Sequence, residues 1–200
     1  AWPVVLYIAN IIDYFRAIFL YVAWKHYEAG DQWKFVGFYV LSYVLDAFDG
    51  MVARAMGQTS KLGLYLDMII DRISSALCLH IAATQVLKDY PEDVARPIAI
   101  GLWSALIVVE VLSHGVVMYK SEVGGFHQKE MESTSPIVRS YLDKKAVLFW
   151  SCASFEGFSL GLVLSQPAWA LPFLPGFLFR SLANTLRLRD VIFVRARKVD

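Results

Sequence analysis

The sequence is short of charge and of cysteine. Only 18% of its 200 residues are charged, against roughly a quarter in soluble domains, while 57% are hydrophobic. A small soluble globule has too much surface to cover with so little polar material. The composition argues against an ordinary soluble fold and suits a polytopic membrane protein. Two cysteines, Cys78 and Cys152, lie in apolar stretches; they make no disulfide framework and read as small buried hydrophobes. There is no zinc-ligand spacing, no zipper and no basic patch interleaved with exposed aromatics, so nucleic acid is not an expected partner. No cleavable signal peptide is expected among the apolar stretches.

What the sequence does have is long apolar stretches. A membrane-crossing helix needs about 20 apolar residues, and six stretches meet that length: 7–26, 35–54, 63–87, 96–119, 145–165 and 171–190. The expectation is an all-α integral membrane protein, a single catalytic domain over 1–200 with six transmembrane helices and a polar loop at about 120–144. The first stretch carries Asn10, Asp13 and Arg16, and the third Asp67, Asp71 and Arg72. Lipid exposure of such groups is expensive, so they should face the interior. Arg54, Lys61, Lys120, Lys129, Arg139, Lys144, Lys145, Arg187, Arg189, Arg195, Arg197 and Lys198 fall on one side of this arrangement, and Lys25, Lys34, Lys88 and Arg96 on the other. The excess of Lys and Arg makes the first side cytosolic, with both termini there.

The informative segment is LDAFDGMVARAMGQTSKLGLYLDMIIDR, residues 45–72. Asp46 and Asp49 are three apart and Asp67 and Asp71 four apart, spacings that put each pair on one helix face. The turn at Gly57–Gln58–Thr59–Ser60 lets the helices return antiparallel and brings the pairs together. Four close carboxylates repel unless neutralised, and oxygen ligands are those that Mg²⁺ and Mn²⁺ prefer. Two such ions could hold a diphosphate and orient attack on it. Gly50 and Ala53 leave room for a planar group, Gly63 allows close approach, and Arg54, Thr59 and Lys61 can reach phosphate oxygens. Spacing alone leaves three readings open: a divalent-metal catalytic site, a cation or proton path, and structural pairing.

The same residues complete a longer pattern. Asp46, Asp49, Gly50, Ala53, Arg54, Gly63, Asp67 and Asp71 match without a gap a signature of eight positions across 26 residues, and by it the chain resembles the CDP-alcohol phosphotransferase family. The resemblance implies a membrane enzyme, commonly a homodimer, that binds CDP and divalent metal at the cytosolic face. It makes Asp46, Asp49 and Asp67 metal ligands and Asp71 a ligand and general base. Gly50 and Ala53 would border cytidine, with Arg54, Thr59 and Gly63 around the nucleotide. The opening YIANIIDYFR is similar to the family's start at Asn10, Tyr14 and Arg16, which adds Asn10 and Arg16 to the cofactor-binding set. Here Ala9 replaces a proline, and Asp13 stands where a small residue is common.

Within the family, residues 43–72, Ser113–His114 and PIVRSYLDKKAVLFW resemble the eukaryotic branch whose donor is CDP-diacylglycerol and whose acceptor is myo-inositol. That branch implies phospholipid synthesis in the endoplasmic reticulum membrane. A polyol pocket should offer several hydrogen bonds, and Ser113, His114 and Arg139 are its candidates. Each has an ordinary alternative: a back-bond to its own helix for Ser113, packing for His114, and headgroup contact for Arg139. Glu110 and Glu156 are expected to pair in the interior. Glycerol phosphate, choline or ethanolamine as acceptor, and cation transport by the same acids, are the competing functions.

Overall fold

The structure is a computed structural model that describes residues 3–89, 96–124 and 135–193, all helix and connecting turn with no strand. After a short 3-10 turn at Val4–Leu6, the helices are α1 (Ile8–Glu28), α2 (Gln32–Ala55), α3 (Lys61–Asp89), α4 (Arg96–Gly124), α5 (Pro136–Asp143), α6 (Lys145–Val163), α7 (Pro167–Ala170) and α8 (Leu174–Phe193). The all-α expectation holds, and each of the six apolar stretches lies largely on a helix.

The six-span expectation does not hold. Among the described residues, three helices are long and apolar enough to cross a membrane: Gln32–Ala55, Arg96–Lys120 and Lys145–Val163. The other three have the length but too much polarity. Charge interrupts α1 at Asp13 and Arg16, α3 at Asp67, Asp71 and Arg72, and α8 at Arg180, Arg187, Arg189 and Asp190. The expected loop at 120–144 is also partly helical, since α4 runs to Gly124 and α5 begins at Pro136. Residues 125–134 of that loop, with Lys129, lie outside the described residues, as do Arg195, Arg197 and Lys198.

The contacts divide the chain into two compact units, Ala1–Leu77 and Cys78–Asp200, with the boundary inside α3. In the first, α1 packs along α2. Asn10, Asp13 and Arg16 are buried, as the cost of exposing them to lipid requires. In the second unit α8 packs on α4, α5 and α6. Its core is Leu79, Phe155 and Phe177, covered by Trp103, Leu106, Ile107, Phe158 and Leu174. The Phe158 and Phe177 rings lie 4.4 Å apart, centroid to centroid. α5 presents Val138 and Tyr141 inward, and burial pushes the Tyr141 phenol up to about 12. α6 ends with Ser165 in the left-handed region (φ 54°). The Gln166 amide there donates to the Gly161 carbonyl at 2.9 Å, and Pro167 then opens α7.

Candidate metal and nucleotide site

The site grows from one helical hairpin in the first unit. α2 ends in a Schellman turn: the Gln58 amide donates to the Ala53 carbonyl at 2.8 Å and the Gly57 amide to the Arg54 carbonyl at 3.3 Å. Gly57 sits at φ +61°, where a Cβ is disfavoured and glycine costs least. Ser60 Oγ accepts the Gly63 amide at 3.0 Å and satisfies one of the free donors at the start of α3. Gln58 Oε1 accepts the Ile8 amide at 3.0 Å, tying the start of α1 to the same turn. Further along, buried Ser42 donates to the Arg16 carbonyl at 3.1 Å and fixes α1 against α2.

This hairpin brings the four signature aspartates together. Asp46, Asp67 and Asp71 each place a carboxylate oxygen within 4.8 Å of the others, and so do Asp13, Asp49 and Asp67. The two trios share Asp67. Among them lies the Arg16 guanidinium, only 2% exposed. Its Nη1 is 3.0 Å from Asp13, 2.8 Å from Asp49 and 2.9 Å from Asp67. Its Nη2 is 2.5 Å from Asp71 and also pairs with Asp46. Arg72 Nη2 stands 3.6 Å from the other Asp71 oxygen.

Five carboxylates around one guanidinium leave a large excess of negative charge when ionised. Asp13 and Asp49 are buried, where charge is poorly screened, while Asp46, Asp67 and Asp71 are partly exposed. The donor set is all oxygen, anionic and closely spaced, which is the chemistry hard divalent cations require. The cluster is therefore capable of coordinating a divalent metal.

The remaining expected residues fall around the hairpin or elsewhere. Arg54 is exposed, and its guanidinium lies over Gly50, where an added Cβ would be 3.2 Å from Nη1. Ala53 is half-buried on α2, and Thr59 is exposed in the turn. Gly63 permits a close approach, but to α1: a Cβ there would meet Asn10 Oδ1 at 2.7 Å. Asn10 Nδ2 donates to the Val4 carbonyl at 2.7 Å, while its buried Oδ1 has no partner among the described residues. Beside the cluster, between α1 and α3, opens an apolar groove of about 290 Å³ lined by residues that include Leu20, Trp24, Ile73 and Leu77. Ser113, His114 and Arg139 belong to the second unit. Ser113 is fully buried and donates to the Glu110 carbonyl at 3.3 Å. His114 Nδ1 lies 3.0 Å from both that carbonyl and Ser113 Oγ. Arg139 is exposed on α5.

Two features were not read from sequence. One is the membership of Asp13 in the carboxylate cluster, for which the spacing to Arg16 on one helix was the available signal. The other is a second buried polar group. Arg180 Nη2 donates to Glu110 Oε1 at 2.6 Å and Asn184 Nδ2 to Glu110 Oε2 at 2.7 Å. The Arg180 guanidinium also rests 4.2 Å from the Phe155 ring centroid. Interior pairing of Glu110 was expected; its partners, 70 and 74 residues away, had no sequence signal.

Comparison with known proteins agrees with this geometry. The model of the CDP-alcohol phosphatidyltransferase family matches residues 6–152, which include the whole hairpin. The chain is 30% identical to CDP-diacylglycerol–inositol 3-phosphatidyltransferase of Saccharomyces cerevisiae, over 96% of this chain and 87% of that protein. It is 29% identical to the Candida albicans protein of the same name, over 96% and 83%. With the Homo sapiens protein the identity is 32%, over 76% and 68%. No solved structure matches the chain significantly. With the signature residues folded into one carboxylate-lined hairpin and the family's model running through it, the chain belongs to the CDP-alcohol phosphatidyltransferase family.

Proposed function

We propose that the chain transfers the phosphatidyl group of CDP-diacylglycerol to myo-inositol, giving phosphatidylinositol and CMP, with residues 1–200 acting as one membrane catalytic domain. The observation that carries this reading is the pair of carboxylate trios at ligand spacing, Asp46, Asp67 and Asp71 on the hairpin, and Asp49 and Asp67 with Asp13 of α1. The relatives named above are named for this reaction.

In this reading Asp46, Asp49, Asp67 and Asp71 hold two Mg²⁺ or Mn²⁺ ions. When bound, such ions withdraw charge from a diphosphate and favour departure of its nucleotide half. Gly50 and Ala53 border the cytidine ring, and Arg54, Thr59, Gly63 and Asn10 surround the phosphates. Arg16 supplies fixed positive charge between the carboxylates and the donor. The apolar groove beside Leu20 and Ile73 takes an acyl chain, so that the lipid keeps its tails out of water while the diphosphate meets the aspartates. Asp71 accepts the proton of the attacking hydroxyl. The inositol oxygen bonds to the lipid-side phosphorus, and the bond from that phosphorus to the CMP oxygen breaks. Geometry lets a weak carboxylate base serve here.

Ser113, His114 and Arg139 form the acceptor side of this proposal, with the cytosol as the source of inositol. The endoplasmic reticulum membrane, cytosolic termini and a homodimer complete it. The test is CMP release by the purified chain given CDP-diacylglycerol and Mn²⁺ or Mg²⁺, with and without myo-inositol, and identification of the lipid formed. Inositol-dependent CMP and phosphatidylinositol are expected. CMP release driven by glycerol phosphate, and not by inositol, would replace the acceptor. Metal-dependent ion flux without CMP would overturn the reaction itself.

A further inference from the structure

Arg16 touches all five carboxylates of the cluster, but the five do not stand in the same relation to it. Asp46 and Asp49 come from α2 and Asp67 and Asp71 from α3. Asp13 alone lies on the arginine's own helix, three residues before it, and its Oδ1 is 3.0 Å from Nη1. At that spacing the two side chains share one face of α1, so their contact does not depend on how α2 and α3 are placed. Both are 2% exposed. The Arg16 Nε is buried and has no partner among the described residues; the contacts of the guanidinium with the cluster run through its two outer nitrogens.

Charge balance separates the roles. Four ionised signature carboxylates match two divalent ions, and that set is neutral. Besides Arg72, 3.6 Å from Asp71, Arg16 is then a buried cation left over, and Asp13 is the remaining carboxylate in contact with it. A divalent cation and a guanidinium compete for the same oxygens, so loading the site draws those four carboxylates away from Arg16. A buried cation stripped of its partners is strongly disfavoured.

We propose that Asp13 is a positioning residue: it retains Arg16 as a fixed, neutralised pair when divalent ions take the other four carboxylates, and thereby makes loading of the site easier. The inference rests on the reading of those four as metal ligands. Asp13 acts through Arg16 rather than as a ligand itself, and this decides the test.

The experiment is Mn²⁺ binding by electron paramagnetic resonance on the full chain in detergent, with no donor or acceptor present. Asp13→Asn leaves Arg16 uncompensated beside the ions and should weaken Mn²⁺ binding on the order of tenfold, since an added unit charge a few ångströms away is poorly screened. Asp13→Glu keeps the charge and should stay near wild type. In Asp13→Asn/Arg16→Gln the uncompensated cation is gone, and most of the lost affinity should return. The double variant also serves where Asp13→Asn alone fails to fold. Unchanged Mn²⁺ affinity in Asp13→Asn overturns the proposal. So does a double variant as weak as the single one, which would make Asp13 a direct ligand. Failure of the wild-type chain to bind Mn²⁺ overturns the metal reading and this inference together, whereas the first two results overturn the inference alone.

Discussion

Each unit of the chain buries acids and a guanidinium, and the two differ in balance. In the first unit five carboxylates surround Arg16. In the second, the Glu110 carboxylate meets Arg180 on one oxygen and Asn184 on the other. At Glu110 the contacts are matched: the carboxylate has a cation on one oxygen and an amide on the other. The first sets five carboxylates around Arg16, with Arg72 beside Asp71, and is capable of coordinating a divalent cation. Buried charge by itself does not mark a functional site; closely spaced carboxylates in excess of their cations are what fit a metal.

Substitutions that remove charge from each centre should separate these roles. The largest effect is expected for Asp67→Asn, because Asp67 belongs to both carboxylate trios. If the proposed metal reading holds, loss of this shared carboxylate should lower inositol-dependent CMP release by about a thousandfold. Thermal unfolding in chelator should be unaffected or shifted upward, since one repelling charge has gone; a large loss of chelated stability would make the cluster structural instead. Glu110→Ala should do the reverse. It leaves Arg180 buried without its carboxylate and should cost about 3–5 kcal/mol of stability, read as a lower unfolding midpoint in detergent at saturating and at zero metal alike. If that loss disappeared with metal, the second centre would also be a cation site. The smallest effect belongs to Asn184→Ala, which removes one hydrogen bond to a charged group and should cost about 1.5–3 kcal/mol. A Glu110→Ala/Asn184→Ala pair should fall short of the sum, because both act on the same carboxylate.

The legible part of this chain was the part whose partners are close in sequence. The aspartate pairs, the turn at Gly57 and the opening of α3 at Ser60 are set by spacings of three and four and by residues with strong local preferences. The all-helical character followed from the same local reading. The count of membrane-crossing helices did not, because α1, α3 and α8 have sufficient length but carry charges that length does not register. α5 was hidden inside an expected loop, although Ser135–Pro136 is a helix-opening pair and Val138, Tyr141 and Leu142 share one face. Asp13 stood outside the signature, so nothing in the pattern tied it to Asp49 and Asp67. The Glu110–Arg180 pair depends on the packing of α4 against α8, which no local rule encodes.

The tight turn between α2 and α3 has a consequence for the order of events when the protein is made. Only the residues from Met56 to Ser60 separate the two helices, so closing the hairpin loses little chain entropy. Contacts this local form early and fast. The four acids can therefore meet as soon as the hairpin exists, and α1, which supplies Arg16, has by then already been synthesised. Their first counter-charge is thus at hand from the moment the carboxylates converge, long before α8 emerges to complete the second unit.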